Sequence, residues 1–289
     1  MQNTLAQKDS CARRSCQPPS HWADLSLRLL SEPKKCLHHR VLRYLGMPWD
    51  FVLILAVLGV LVPWRGAVRI RELLSRPYIA PSDRVVLYAS TIVFQWLAAV
   101  VAFWRCRERG LSPTNLGLVH GNLSRTIAVA LGVASLLALV QWMGFRRLRQ
   151  QSLPEGSRIR QIMTKLMPSG RNDSLAFIAL VCTVAVCEEF LYRGFAFAAI
   201  YRAAGNSTAT AIIGSSALFA LAHSYQGRAG LLNTFLLGLL FAACRVWTMS
   251  LLPAMLAHLV VDLIAGLLIP RAVRVEVVAM DRVVSGHIL

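Results

Sequence analysis

Apolar residues run in long unbroken stretches along this chain instead of alternating with polar ones as on a half-solvated helix or strand. Crossing hydrocarbon takes about 20 such residues in a helix. Stretches 85–104 and 123–145 have that length, and 174–203 exceeds it. The first, 49–62 with Trp64 beyond it, is short enough to be a tilted or an interfacial helix. A fifth covers 208–223 behind the turn and cap residues Asn206-Ser207-Thr208, and a sixth covers 231–247. Pro253 opens a seventh that ends near Ile269, before Pro270. The pattern predicts an all-α fold, a polytopic transmembrane helical bundle of about 6 to 8 membrane helices.

The flanks read differently. Residues 1–46 are polar and basic, without the early apolar core of a cleavable signal peptide, and are expected to be a mostly loose extension. Within them Trp22, Leu25, Leu29 and Leu30 stand at helical spacing, so residues 20–30 form a candidate amphipathic surface helix. No internal repeat or low-complexity tract divides 47–270, which is expected to be one transmembrane domain, and 271–289 is a C-terminal tail.

Composition sharpens this picture. Of 289 residues, 56% are hydrophobic and 16% charged, and mean hydropathy is +0.53. Those values belong to a multi-pass integral membrane protein, here expected to be of the bacterial inner-membrane type. The net charge of +17 comes from basic residues placed between the apolar stretches, where they meet anionic lipid headgroups. The bilayer is thus the expected partner, and nucleic acid is not. Eight Lys or Arg in the tail and seven in the loop 146–173 lie three spans apart, so charge does not fix the orientation. Seven scattered cysteines without a CxxC predict neither a disulfide framework nor a thiol nucleophile.

Candidate chemistry sits in the fourth span. Between Ser174 and Pro270 the only acids are Glu188, Glu189 and Asp262, and the only histidines are His223 and His258. Glu188 lies about 21 Å along its helix from Ser174 at 1.5 Å per residue, and an ionisable group at such depth is a functional candidate by default. Glu189 and Arg193 are four apart with the acid first, the favourable order for an ion pair. Glu188 projects about 100° away with no cation on its own helix. Different surroundings give adjacent carboxyls separate roles, so Glu188 is the expected general base.

His223 follows Phe219 by one turn, so the rings can stack while the imidazole shares a water with Glu188. His258 and Asp262 are likewise four apart. An accepting carboxylate at one imidazole nitrogen aims the other, which could donate to a developing oxyanion. No HExxH or other compact zinc signature occurs, so no metal is expected; a zinc ion gathered on Glu188, His223 and His258 is the alternative. Ser216 is seven residues from His223, about 10 Å along the axis and too far for proton transfer, so small residues there suit close helix packing.

Glu188-Glu189-x-x-x-Arg193, Phe219-x-x-x-His223 and His258-x-x-x-Asp262, in that order on three apolar segments, resemble the CPBP or Abi family of intramembrane proteases. That family contains the type II CAAX prenyl endopeptidases and bacterial relatives implicated in bacteriocin self-immunity. The resemblance covers residues 174–270. It implies an all-helical membrane protease in which Glu188 and His223 activate water, with His258 as a third catalytic residue and Glu189, Arg193, Asp262 and Phe219 in support. Characterised CAAX enzymes carry asparagine at the position of Asp262, whereas bacterial members resemble this chain in using aspartate.

The leading expectation is an intramembrane endopeptidase without cofactor, acting on a peptide or protein near the membrane that is lipidated in the CAAX case. A non-catalytic membrane scaffold or immunity-type partner, and a proton-coupled transporter, are the alternatives. One geometric demand stands out. His223 closes its span and His258 opens one two crossings later, so a shared site requires a short helix and a recessed turn at residues 226–230.

Overall fold

The computed structural model describes residues 47–150 and 157–269, with side chains of 148–150 and 159 excepted. The tail 1–46, its candidate surface helix at 20–30 and the segment 271–289 lie outside the described residues. Among the described residues there are eight helices and no strand. In chain order these are α1 (Trp49–Ser75), α2 (Pro81–Glu108), α3 (Leu123–Gln150), the short α4 (158–166), α5 (Arg171–Ala203), α6 (Thr208–Ala222), α7 (Gly227–Thr248) and α8 (Leu252–Leu268).

The protein is a multi-pass integral membrane protein. Five helices are long and apolar enough to cross a bilayer, namely α1, α2, α3, α5 and the helical stretch Ser224–Thr248 that contains α7. Their outward faces carry bare apolar side chains, such as Val93, Leu97 and Val100 on α2 and Leu131, Leu136 and Leu139 on α3. Polar groups point inward. Helix α5 runs through the middle: 56% of its apolar window is buried, against 11% for α1 and 22% for α2 and α3.

Two elements differ from the sequence expectation. The first span does not stop near Val62 but continues as helix to Ser75. Arg65, Arg69 and Arg71 end its hydropathy without ending its backbone hydrogen bonding, and Pro63 is absorbed beside a wide π turn at Val57–Leu61. The basic loop after α3 contains α4, which docks Leu166 against Leu73, Leu74 and Ile79.

Ion pairs tie the helix ends. Near the starts of α2 and α5, the Arg84 Nη2 atom lies 2.8 Å from Asp173 Oδ2, and Asp173 also accepts from the backbone of Ser169 and Gly170. At the opposite ends, Arg105 and Arg109 of α2 close on Asp50 of α1 at 2.6 and 3.1 Å. The α2–α3 connection folds under the α7–α8 turn, where Leu251 N–H donates to the Gly117 carbonyl and Arg245 Nη2 donates to that of Asn115. Gly117 has φ +70°, the left-handed region that glycine occupies without strain.

Helices α8 and α5 meet through a gap with no spare volume. A Cβ on Gly266 would stand 2.0 Å from Phe177 Cζ, and Phe177 is itself held edge-on against Tyr88 at 5.5 Å. Gly266→Ala should therefore lower stability by about 1–3 kcal/mol. Thermal unfolding in detergent checks this, and Phe177→Leu in the same chain should return part of the loss. An unshifted midpoint for Gly266→Ala would contradict this packing.

Candidate active site

Glu188 and Glu189 are neighbours on α5 that face different worlds. A π segment, Glu189–Ala196, widens the helix here, and every one of its residues is buried. Glu189 and Arg193 are both 0% exposed, with Arg193 Nη1 donating to Glu189 Oε1 at 2.8 Å. The guanidinium carbon also lies 3.9 Å from the Phe219 ring centroid and 5.3 Å from that of Phe241. A cation wholly removed from water thus has one carboxylate and two π faces around it.

His258 joins this sealed cluster. Its Nδ1 meets Glu189 Oε1 at 2.8 Å, while its Nε2 stands 3.5 Å from Asp262 Oδ2. Phe219 and Phe241 flank the ring at 5.8 and 5.7 Å. The placement differs from the sequence expectation in one respect. Asp262 does lie at one imidazole nitrogen, but the other is taken by Glu189 from α5 and is not aimed at open space.

Glu188 looks the other way. Its Oε1 accepts from Gln95 Nε2 of α2 at 2.7 Å, and its Oε2 lies 3.9 Å from His223 Nε2 at the end of α6. The Glu188 and His223 side chains are 12% and 16% exposed, against 0% for Glu189 and Arg193, although the Glu188 Oε2 atom itself is buried. The other nitrogen of His223, Nδ1, lies 2.9 Å from the Phe219 carbonyl. A carbonyl only accepts, so the proton is on Nδ1 and Nε2 of the neutral ring carries the lone pair.

The structure departs from the expected short helix and recessed turn at 226–230: α7, the helix between the two histidines, runs over 22 residues, and 227–230 form its first turn. Helix α6 has only 15 residues, and the chain reverses immediately through Ser224–Gln226 into α7. Phe219 sits at the centre of the assembly, tilted against His223 at 4.7 Å, edge-on to His258, and against Tyr192 at 5.4 Å. Ser216 donates to the Ile212 carbonyl and packs where a Cβ on Gly238 would reach it, a close helix crossing as its small side chain suggests.

Glu188, His223 and His258 do not converge as a metal-ligand trio. His258 spends both nitrogens on Glu189 and Asp262, and no cluster of three His, Cys, Asp or Glu among the described residues has ligand geometry. With His258 held between two carboxylates, these side chains do not form a zinc-binding set.

Residues 170–264, which carry all seven residues named from the sequence, match the family model described as type II CAAX prenyl endopeptidase Rce1-like. This segment resembles that family. Comparisons with curated proteins and with solved structures return no match. The Rce1-like segment spans α5 to the greater part of α8, and the three motifs that resembled the CAAX proteases lie inside it. Gln95 lies outside it, on α2. Sequence reasoning passed over that residue although a signal existed: between 92 and 104, Gln95 is the one amide or charged side chain in an otherwise apolar stretch.

Proposed function

We propose that the chain is an intramembrane endopeptidase that hydrolyses a peptide bond of a membrane-associated protein, with Glu188 and His223 activating the water. The observation that carries this reading is the 3.9 Å separation of Glu188 Oε2 and His223 Nε2, two acceptors in a partly open position inside an Rce1-like segment. That distance exceeds direct hydrogen-bond reach, about 2.7–3.2 Å, and suits one water donating a hydrogen to each. The lone pairs of such a water are left facing the carbonyl carbon of a bound peptide.

In the forward step the water oxygen bonds to the carbonyl carbon as Glu188 takes one of its protons. The tetrahedral intermediate then expels the amine as Glu188 returns that proton to the leaving nitrogen. His223, with its proton held on Nδ1 by the Phe219 carbonyl, keeps Nε2 free to orient the water and to receive charge as it develops. His258, enclosed by Glu189 and Asp262, locks α5 to α8 behind the reacting groups. A lipid tail on the substrate is compatible with the bare apolar faces of α1 to α3.

Purified protein in proteoliposomes, incubated with a library of membrane-tethered peptides and read by mass spectrometry, tests the reading. Cleavage is expected to persist in 1,10-phenanthroline. His223→Ala is expected to lower the rate by about 10²–10⁴-fold while the protein still unfolds cooperatively. Undiminished turnover by His223→Ala removes the proposed water site.

A further inference from the structure

Helix α2 turns one stripe inward, made of Arg84, Tyr88, Gln95, Ala99, Ala102 and Cys106. Gln95 is buried in that stripe at membrane depth, where an amide is costly unless its hydrogen bonds are made. Among the described residues its side-chain hydrogen bond is to Glu188 Oε1 at 2.7 Å, and its own Oε1 is buried without a partner there. An ionised carboxylate only accepts, so the amide nitrogen is the end that must face it. Glu188 Oε2, by contrast, has no hydrogen-bond partner and faces His223.

We infer that Gln95 is a positioning residue for Glu188: by donating to Oε1 it fixes the plane of the carboxyl and leaves Oε2 as the atom that takes the proton from water. This rests on the hydrolytic reading of Glu188 and His223. Without the amide, the carboxyl is free to rotate about its last torsion, and both oxygens compete for the position opposite His223 Nε2. A bond to a charged acceptor is stronger than one between neutral groups, and it acts here where solvent does not screen it. Gln95 comes from a helix that packs against α5 but carries none of the three motifs, so a second part of the fold aligns the base.

The test is a comparison of Gln95→Met and Gln95→Glu with the parent chain in proteoliposomes, on a peptide that the parent cleaves. Gln95→Met keeps length and volume but cannot donate. It is expected to lower kcat by about 10- to 100-fold, the cost of misaligning a reacting group, with KM within about twofold. Gln95→Glu keeps the shape and donates only when protonated, so its activity should recover toward acid pH, where the facing carboxyls share a proton. A merely structural role would produce neither the kcat-selective loss nor the acid recovery. Should Gln95→Met not yield folded protein, Gln95→Asn, whose amide is withdrawn by one methylene, is expected to give the same kcat-selective loss. Parent-like kcat in Gln95→Met, alongside an inactive Glu188→Gln, overturns the role of Gln95 and leaves the hydrolytic reading standing. Turnover by Glu188→Gln itself overturns that reading, and the positioning role with it.

Discussion

Glu188→Gln should abolish peptide cleavage, by about 10²–10⁴-fold or more, in a protein that unfolds at nearly the parental temperature. The substitution preserves volume, and the amide oxygen it introduces can still accept from Gln95, so the α2–α5 contact at 2.7 Å survives. What disappears is the capacity of the atom facing His223 to hold a proton. The side chain is 12% exposed, and among the described residues no Lys or Arg lies within salt-bridge distance of its carboxylate. Removing it therefore leaves no buried counter-charge stranded. Cleavage by mass spectrometry and unfolding by intrinsic tryptophan fluorescence on the same preparation give both halves of the result. Full activity in this variant would leave the proposed reaction without its base.

Arg193→Met should act in the opposite way, through stability first. Arg193 and Glu189 are 0% exposed, and removing one member of a buried pair leaves the other uncompensated, at a cost of about 3–5 kcal/mol. Glu189 would keep His258 at 2.8 Å, which places the expectation near the lower end of that range. The loss also includes the guanidinium's contacts with Phe219 at 3.9 Å and with Phe241 at 5.3 Å. Replacing both partners, with Arg193→Met and Glu189→Gln in one chain, should recover a substantial part of the stability without restoring catalysis. Denaturant titration in mild detergent separates the cases. An Arg193→Met protein as stable as the parent would show that the pair is not the keystone of the α5 core.

The contrast between these two variants follows from adjacent residues on one helix. Glu189 is fully buried between Arg193 of its own helix and His258 of α8, whereas Glu188 projects toward α2 and the end of α6. Two consecutive residues of one wide helix therefore separate the proposed water site from the enclosed ion pair.

Local pairings were legible in the sequence because helical spacing is a one-dimensional property. Glu189 with Arg193, Phe219 with His223, and His258 with Asp262 all meet as positions four apart should. The membrane helices were legible for a similar reason, since a bilayer demands a minimum apolar length. The end of α1 was not, because Arg65, Arg69 and Arg71 lower hydropathy while the helix carries on through its own backbone bonds. Of the contacts between helices, the sequence reading offered Glu188 with His223, and the others escaped it. Nothing in spacing joins Gln95 to Glu188, 93 residues apart, or His258 to Glu189, 69 residues apart.

Sequence by itself determined that this chain is an all-helical membrane protein with a small set of acids and histidines inside its apolar spans. The cost of bringing charge into hydrocarbon makes such an inventory conspicuous. Only the tertiary structure decided how the set is divided, with Glu189, Arg193 and His258 closed in a buried ionic core and Glu188 and His223 left with partly exposed side chains. That division depends on a 15-residue α6 and on the rotation of α2 against α5, and rotation about a helix axis is set by packing among neighbours, which no single stretch of sequence contains.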